Sequence, residues 1–554
     1  MAQITGGQVF GRALKQEGVE YVFTLTGGHV HDLYEGCENN GIKVIDFRHE
    51  QSAAHAAEGW AKTTGKPGVA IVTAGPGVTD AVTAVANAFQ APSPMLLVGG
   101  NSAIRESLMG GLQDFDGVTL MQPITKWSIQ VPEVRRIPDF IATAFRQITT
   151  GKPGPAYLEI PSDLVRGEME EEELALPTGY RTQARSFGDP EYIRQVAELL
   201  KGAKKPMIIA GSDIWWGQAW DELQELVEMT DAPVFLNSMG RGAIPSDHPN
   251  LGSTGRRYAM LNADAILLIG VPIDFRLSYG RDTLFNKDAK VVQMMMDGGE
   301  IGRNRHIDIG VVGDTRAILS QTLDELRRTS YRSPGKEWLE EVITEDRVLK
   351  DADVEFLNSD QTPIHPMRLM KEVRDFLDRD ATVIGDGGDT VTFAARVLGI
   401  NEPGHWLDPG QFGCLGTGPG FAIAAQLARP GKQVVAVFGD GAFGLNGFEM
   451  ETMVRHKLPV VGILGNNGAW NQIAHGVFRR YGRAIAAMLS QETRYDLVMQ
   501  GFGGYGERVT EPSQIRPALE RAFNSGTAAL LDVVIDPDAS YSQLGGRSRQ
   551  TRQY

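Results

Sequence analysis

The residues best suited to chemistry in this 554-residue chain lie in one segment, FGDGAFGLNGFEMETMVRHKLPVVGILGNNGAW (Phe438–Trp470). One apolar run ends at Gly439–Asp440–Gly441, and after 24 intervening residues a second ends at Asn466–Asn467. Each run is short and rich in Val, Ile or Leu, which predicts two strands with a helix between them. Asp440 and Asn467 then stand at the carboxyl ends of strands, where open α/β sheets bind ligands. Both carry hard oxygen donors. Mg²⁺ takes oxygen ligands in near-octahedral geometry and shares them with ligand phosphates. Glycines beside Asp440 let a diphosphate approach the backbone closely. A lone Gly-Asp-Gly is common in turns; the pair, with a strand before each member, is far more specific. A second candidate is Glu50, in VIDFRHEQSAAHAAEGWAKTTG (Val44–Gly65), at a strand-to-helix junction. Read alone, it is a carboxylate favouring a helix N-terminus. If buried there, its pKa rises and it holds a proton.

The elements that position these residues fall into three blocks. The first, residues 1–165, alternates strand-like runs (YVFTLTGG, KVIDFR, GVAIVTAGPG, PMLLVGG, PAYLEIP) with Ala-rich helical stretches such as Ser52–Thr64 and Thr79–Phe89. The second, 190–345, repeats the pattern with KPMIIAGSD, APVFLNS, ADAILLIGVPID, AKVVQMMMD and DIGVVGD. The third, 362–540, holds ATVIGDGG, QVVAVFGDG, LPVVGILGNN and AALLDVVID. Continuous apolar strands separated by helices predict doubly wound parallel sheets, one per α/β domain. The acidic stretch Arg166–Ser186 and the polar stretch Ser333–Gln361 read as connections. Residues 541–554 form a basic tail carrying Arg547, Arg549 and Arg552.

Composition sets outer limits. Apolar residues make up 42% and charged residues 22%, as in globular domains. A net charge of −15 argues against nucleic-acid binding, although it permits a local basic site. With two cysteines, Cys37 and Cys414, neither a disulfide framework nor a Cys-based zinc site is available. No apolar run reaches membrane-spanning length and the N-terminus lacks a secretory pattern, so a cytoplasmic setting is expected.

The Phe438–Trp470 segment resembles the thiamine diphosphate (ThDP) binding motif, and the resemblance extends over essentially the whole chain. It names the blocks pyrimidine-binding, central and diphosphate-binding domains. It implies that Asp440, the Asn467 side chain and the Ala469 carbonyl hold Mg²⁺, with Gly439, Gly441, Ala442 and Trp470 beside the cofactor. GDGGDTV resembles a second diphosphate-side loop, placing Gly387, Gly388 and Asp389 nearby. DPGQFGCLGTGPG is similar to the segment over the aminopyrimidine, where Leu415 takes the place of an apolar wedge, often Met, and Gln411 lies close. Glu50 is then implied to bond the pyrimidine ring and favour the tautomer that generates the cofactor's carbon nucleophile. In this family Glu50 and the Gly-Asp-Gly site come from different subunits, which implies a homodimer at least; a homotetramer is the expectation, with dimer against tetramer left open.

Which reaction follows is a matter of site residues, not fold. His29, in LTGGHV, resembles a benzaldehyde lyase histidine that handles hydroxyl protons; a lone histidine is otherwise structural. Gln113, in LQDFDG, falls where lyases and acetolactate synthases carry a polar site residue. Glu492, in SQETRYD, is a further acid/base candidate, with an exposed helix-start carboxylate as the competing reading. VPIDFRLSYG and FGCLGTGPGFAIAA are similar to 2-hydroxyacyl-CoA lyases and oxalyl-CoA decarboxylase. Guanidinium groups suit coenzyme A phosphates, so Arg256, Arg257, Arg276, Arg547, Arg549 and Arg552 are candidates for that end of the substrate. The expectation is a lyase that cleaves a 2-hydroxyacyl-CoA to an aldehyde or ketone plus formyl-CoA, and runs in reverse as a condensation. The alternatives are a carboligase of free aldehydes or 2-oxo acids, a non-catalytic regulatory subunit, and an oxidase needing FAD. ADP or another nucleotide in the central domain is left open.

Overall fold

The computed structural model describes residues 2–107 and 109–544. The first domain is built on six parallel strands: β1 (Tyr21–Leu25), β2 (Lys43–Asp46), β3 (Gly68–Val72), β4 (Met95–Asn101), β5 (Trp127–Gln130) and β6 (Pro155–Pro161). They lie in the order β2-β1-β3-β4-β6-β5. The central domain holds β7 (Pro206–Ala210), β8 (Val234–Leu236), β9 (Ala265–Ile269), β10 (Lys290–Met295) and β11 (Ile309–Val312), in the order β8-β7-β9-β10-β11. The third domain has β12 (Thr382–Asp386), β13 (Trp406–Leu407), β14 (Val434–Gly439), β15 (Val461–Asn466), β16 (Tyr505–Val509) and β17 (Ala529–Val534), in the order β13-β12-β14-β15-β17-β16. Counted from its own first strand, each outer sheet therefore runs 2-1-3-4-6-5.

Inner strands such as β3 (GVAIV) and β9 (AILLI) are buried at every residue, because helices cover both sheet faces. β5, β13 and β16 escaped the sequence reading. β5 and β16 are mostly half-buried and so lack a continuous apolar run, and β13 is only two residues long. The acidic connection is tied down: Glu168–Glu170 pairs antiparallel with Gln3–Thr5, and Arg181 meets Glu17 at 3.0 Å. The polar stretch after residue 333 contains a helix, Glu337–Asp351, that buries Trp338, Leu339 and Val342.

Two helices join the outer domains. α1 (Glu50–Thr64) follows β2 and α4 (Gly418–Ala428) follows β13, the equivalent strand. Between them in sequence lie α2 (Pro76–Gln90) and α3 (Asp389–Val397); α5 (Asp440–Asn446) and α6 (Asn471–Tyr481) follow. α1 starts where His49 Nδ1 accepts the Gln51 N–H and stops at Gly65, with φ 72°. A Cβ at Gly420 would stand 2.7 Å from Ser52 O, and one at Gly59 2.8 Å from Phe421 Cα, so the two helices meet backbone to backbone. Within this contact Glu58 receives Lys62 at 2.8 Å and the Asn87 amide at 2.8 and 2.9 Å, while Lys62 also donates to Asp408 O at 2.8 Å. Among the described residues no helix is long and apolar enough to cross a membrane.

Candidate active site

In each outer sheet the strand order reverses between its first and third strands, opening a crevice at their carboxyl ends. In the third domain this crevice lies between β12 and β14. Gly387 has φ 130°, and a Cβ there would stand 3.1 Å from Gly439 N. Gly388 precedes α3, whose first residue is the buried Asp389. On the other wall, Asp440 opens α5, with the buried Gly441 and Ala442 behind it. A Cβ on Gly441 would strike the Trp470 ring at 2.6 Å.

Asp440 is 2% exposed. Its Oδ1 accepts the Gly441 N–H at 2.9 Å and its Oδ2 the Gly468 N–H at 2.7 Å, while Asn467 Oδ1 accepts the Ala469 N–H at 3.2 Å. The loop after β15 is thereby folded onto Asp440, and Asp440, Asn467 and Ala469 converge. Burial pushes the Asp440 carboxyl up to about 6, with only backbone N–H groups opposing it. A buried carboxylate answered by no cationic side chain suits a bound cation. Among the described residues no three His, Cys, Asp or Glu side chains converge as a metal site. One carboxylate, one amide oxygen and one carbonyl remain, an all-oxygen set that fits Mg²⁺ held jointly with a diphosphate.

Asp386, at the end of β12, was missed in the sequence. It is fully buried and accepts the N–H groups of Gly416 (3.0 Å) and Gly418 (2.8 Å), which fixes the half-buried Leu415 between Cys414 and α4. The signal was present, as an aspartate ending an apolar strand. Gln411 accepts from Arg276 at 3.1 Å and donates to Gln90 O.

The first-domain crevice lies between β1 and β3. His29 Nδ1 stands 3.2 Å from Thr73 Oγ1, and a Cβ on Gly27 would lie 2.3 Å from that same hydroxyl, so a glycine is required there. Glu50 opens α1 and is buried; desolvation pushes its carboxyl up, and nearby Asp80 adds to the effect. A Cβ on Gly77 would meet Thr73 Cγ2 at 2.9 Å and Glu50 Oε1 at 3.6 Å, so Thr73 and Glu50 line one crevice. Burial lowers the His29 pKa, countered by a hydrogen bond with the Leu112 backbone. The next residue, Gln113, has φ 62° and packs its backbone against Gly75. His29, Glu50 and Gln113 are thus brought together, with Thr73 as a fourth member that sequence reasoning passed over.

Glu492 is exposed and belongs with the third-domain group. Among the described residues no hydrogen bond or ion pair joins Glu50 to Asp440 or Asn467 within the chain. Exposed apolar side chains flank both crevices: Met109, Leu112 and Phe115 at the first, Leu445, Phe448, Ile473 and Met488 at the third.

The arginine candidates separate. Arg256 donates to Asn237 at 3.0 Å and lines a cavity of about 750 Å³ between the central and third domains. Arg257 donates to Thr283 O at 2.7 Å. Arg276 pairs with Asp274 at 2.6 Å beside the central-domain cleft at β7 and β9, which has a volume of only about 40 Å³. Arg547, Arg549 and Arg552 lie outside the described residues.

Three family models match the chain: thiamine pyrophosphate enzyme, N-terminal TPP binding domain (residues 4–120), central domain (193–322) and C-terminal TPP binding domain (386–533). An acetolactate synthase large subunit of Mycobacterium tuberculosis is 40% identical over 97% of this chain and 96% of its own. 2-hydroxyacyl-CoA lyase 2 of Danio rerio is 33% identical over 96% and 91%, and 2-hydroxyacyl-CoA lyase 1 of Mus musculus is 30% identical over 97% and 95%. With family models matching all three domains and relatives matching along almost the full length, the chain belongs to the thiamine pyrophosphate enzyme family.

Proposed function

We propose that this enzyme is a ThDP- and Mg²⁺-dependent lyase that breaks the C1–C2 bond of a 2-hydroxyacyl-CoA, releasing an aldehyde or ketone and formyl-CoA. The cavity between the central and third domains carries the thioester part of this reading. Its walls hold Arg241, Arg256, Arg374, Arg379, Arg396 and Lys350 with Asp353, Asp378 and Asp408; Arg396 pairs with Asp353, Arg379 with Asp247, Arg374 with Asp375 and Lys350 with Asp346, so a nucleotide's phosphates would exchange with these carboxylates. At about 750 Å³ it has the size of a small-molecule site, and Leu544, the last described residue, lies on its wall. Guanidinium groups are suited to a nucleotide's phosphates.

When bound, ThDP supplies a carbon nucleophile and an electron sink. The chain's own residues do the rest. Asp440, Asn467 and the Ala469 carbonyl would hold Mg²⁺ beside the cofactor's diphosphate, and Leu415 would support its pyrimidine end. Glu50, its carboxyl pushed up by burial, would face the pyrimidine ring and exchange a proton with it. His29, or Glu492, takes the proton of the substrate's 2-hydroxyl as C2 becomes a carbonyl, and Gln113 orients the thioester. C1 leaves with the bonding pair and acquires a proton, giving formyl-CoA.

Glu50 of one chain works with Asp440 of the partner subunit, so a homodimer is the smallest active form, and the apolar side chains flanking both crevices support a covering second copy. A nucleotide in the central domain is not part of this reading. The 40% identity to an acetolactate synthase favours a second reading, carboligation of free aldehydes or 2-oxo acids. Purified enzyme with ThDP and Mg²⁺ is to be given a 2-hydroxyacyl-CoA, benzoin and pyruvate in parallel. Formyl-CoA from the thioester alone is expected; turnover of the uncoupled substrates alone overturns the thioester reading.

A further inference from the structure

Glu492 sits on an exposed turn, yet the residues on either side of it are held firmly. The segment before it runs antiparallel to the metal loop: Trp470 N–H donates to Ala487 O at 2.8 Å and Leu489 N–H to Gly468 O at 2.6 Å. At the turn, Arg508, reaching over from edge strand β16, donates to Gln491 O (2.5 Å) and Thr493 O (3.0 Å), the two carbonyls flanking Glu492. The same guanidinium meets Asp532 at 2.9 Å, with side chains 18% and 0% exposed. Asp532 Oδ1 accepts from Asn466 Nδ2 at 3.0 Å, and Gln491 Nε2 donates back to Asn466 O at 3.1 Å. Asn466, the first asparagine of the Asn-Asn pair, therefore ties the metal loop to the Glu492 turn through a buried carboxylate.

We infer that Arg508 is a positioning residue, clasping the two carbonyls around Glu492 so that this carboxylate is presented at a fixed place above the metal loop. The planar fork of a guanidinium engages two carbonyls and a carboxylate at once, which an ammonium cannot do with the same geometry. A loop that carries an acid/base group without such a clasp loses its alignment, and misplacement by about 1 Å costs on the order of 10²-fold in rate. The inference rests on the reading of Glu492 as an acid/base.

The test is a double-variant cycle on the full-length enzyme with ThDP and Mg²⁺, read as kcat and KM on a 2-hydroxyacyl-CoA, or on benzoin or pyruvate if those alone are turned over. ThDP affinity and the thermal midpoint are measured alongside. Arg508→Gln should lower kcat about 10²-fold, with KM and ThDP affinity within about threefold of the unaltered enzyme. Arg508→Lys, which keeps a charge beside Asp532, should keep the thermal midpoint and lose about tenfold in kcat; it also carries the test if Arg508→Gln does not fold. Added to Glu492→Gln, Arg508→Gln should cost nothing further, because both act through one carboxylate. An unchanged kcat in Arg508→Lys and Arg508→Gln, or a loss that multiplies in full onto Glu492→Gln, overturns the inference. If Glu492→Gln itself retains full kcat, the acid/base reading has fallen, and the inference with it.

Discussion

Lys62→Met tests the helix contact that joins the two outer domains. Lys62 Nζ stands 2.8 Å from Glu58 Oε1, and the side chains are 2% and 0% exposed. Their attraction at an effective dielectric near 20 is about 6 kcal/mol, most of it offset by desolvation of both groups. Removing one partner leaves the other charge buried without its counter-ion, which costs about 3–5 kcal/mol. Asn87 and His55 still reach the carboxylate, which places the expected loss near the low end, about 3 kcal/mol. Glu58→Gln/Lys62→Met should lose less than the sum of the single variants, since the pair is in direct contact. The assay is urea unfolding followed by tryptophan fluorescence; Trp60 lies on the same helix. Burial alone would raise the Glu58 pKa, but Lys62 and His55 outweigh it and hold the carboxyl below its usual value. The folded state therefore binds fewer protons there than the unfolded chain. The pair's contribution is full above the ordinary carboxylate pKa of about 4.3 and is lost as pH falls through the lower folded value. A Lys62→Met loss below about 1 kcal/mol, or strict additivity of the two substitutions, refutes this reasoning.

Glu50→Gln should abolish turnover while leaving ThDP affinity within a few-fold; retained turnover contradicts the role given to Glu50. Gly420→Val should weaken or prevent folding, since its Cβ would lie 2.7 Å from Ser52 O and 3.0 Å from Ala56 N; a soluble variant with an unchanged thermal midpoint shows that the helices do not approach so closely. Burial pushes both Cys37 and Cys414 thiols up to about 12, so a thiol reagent at neutral pH should modify neither in the native enzyme and both after unfolding. Burial, assisted by Arg429, pushes His405 down to about 4, so its contribution is full above the unfolded value of about 6.5 and is lost as pH falls toward the folded value. His405→Gln should flatten the fall in unfolding midpoint across that range, and an unchanged slope speaks against it.

How much was legible in the sequence depended on how local the signal was. The inner strands and the Asp440–Asn467 pair announce themselves because each lies in one continuous run ending in glycine or asparagine. β5 and β16 were hidden because half-buried residues leave no continuous apolar run, and β13 because it spans two residues. Thr73 and Asp386 were hidden differently. Thr73 becomes a site residue only because β1 and β3 are sheet neighbours, which brings His29 beside it from 44 residues away. Asp386 matters because the turn before α4 folds back onto β12, bringing Gly418 from 32 residues downstream. The Arg508 clasp likewise depends on β16 lying beside β17 at the sheet edge. Such pairings are properties of topology, which the order of residues along the chain does not display.

The central claim is that the cofactor is gripped by Asp440 and Asn467 of one chain and met by Glu50 of another. Mixing inactive Glu50→Gln and Asp440→Ala enzymes, after dissociation and reassociation, tests it most directly. If chains pair at random in a two-fold dimer, half the dimers are hybrids with one intact site each, and turnover should recover to about a quarter of the unaltered level. Turnover staying at the background of the separate variants, with hybrids demonstrably formed, would contradict the account.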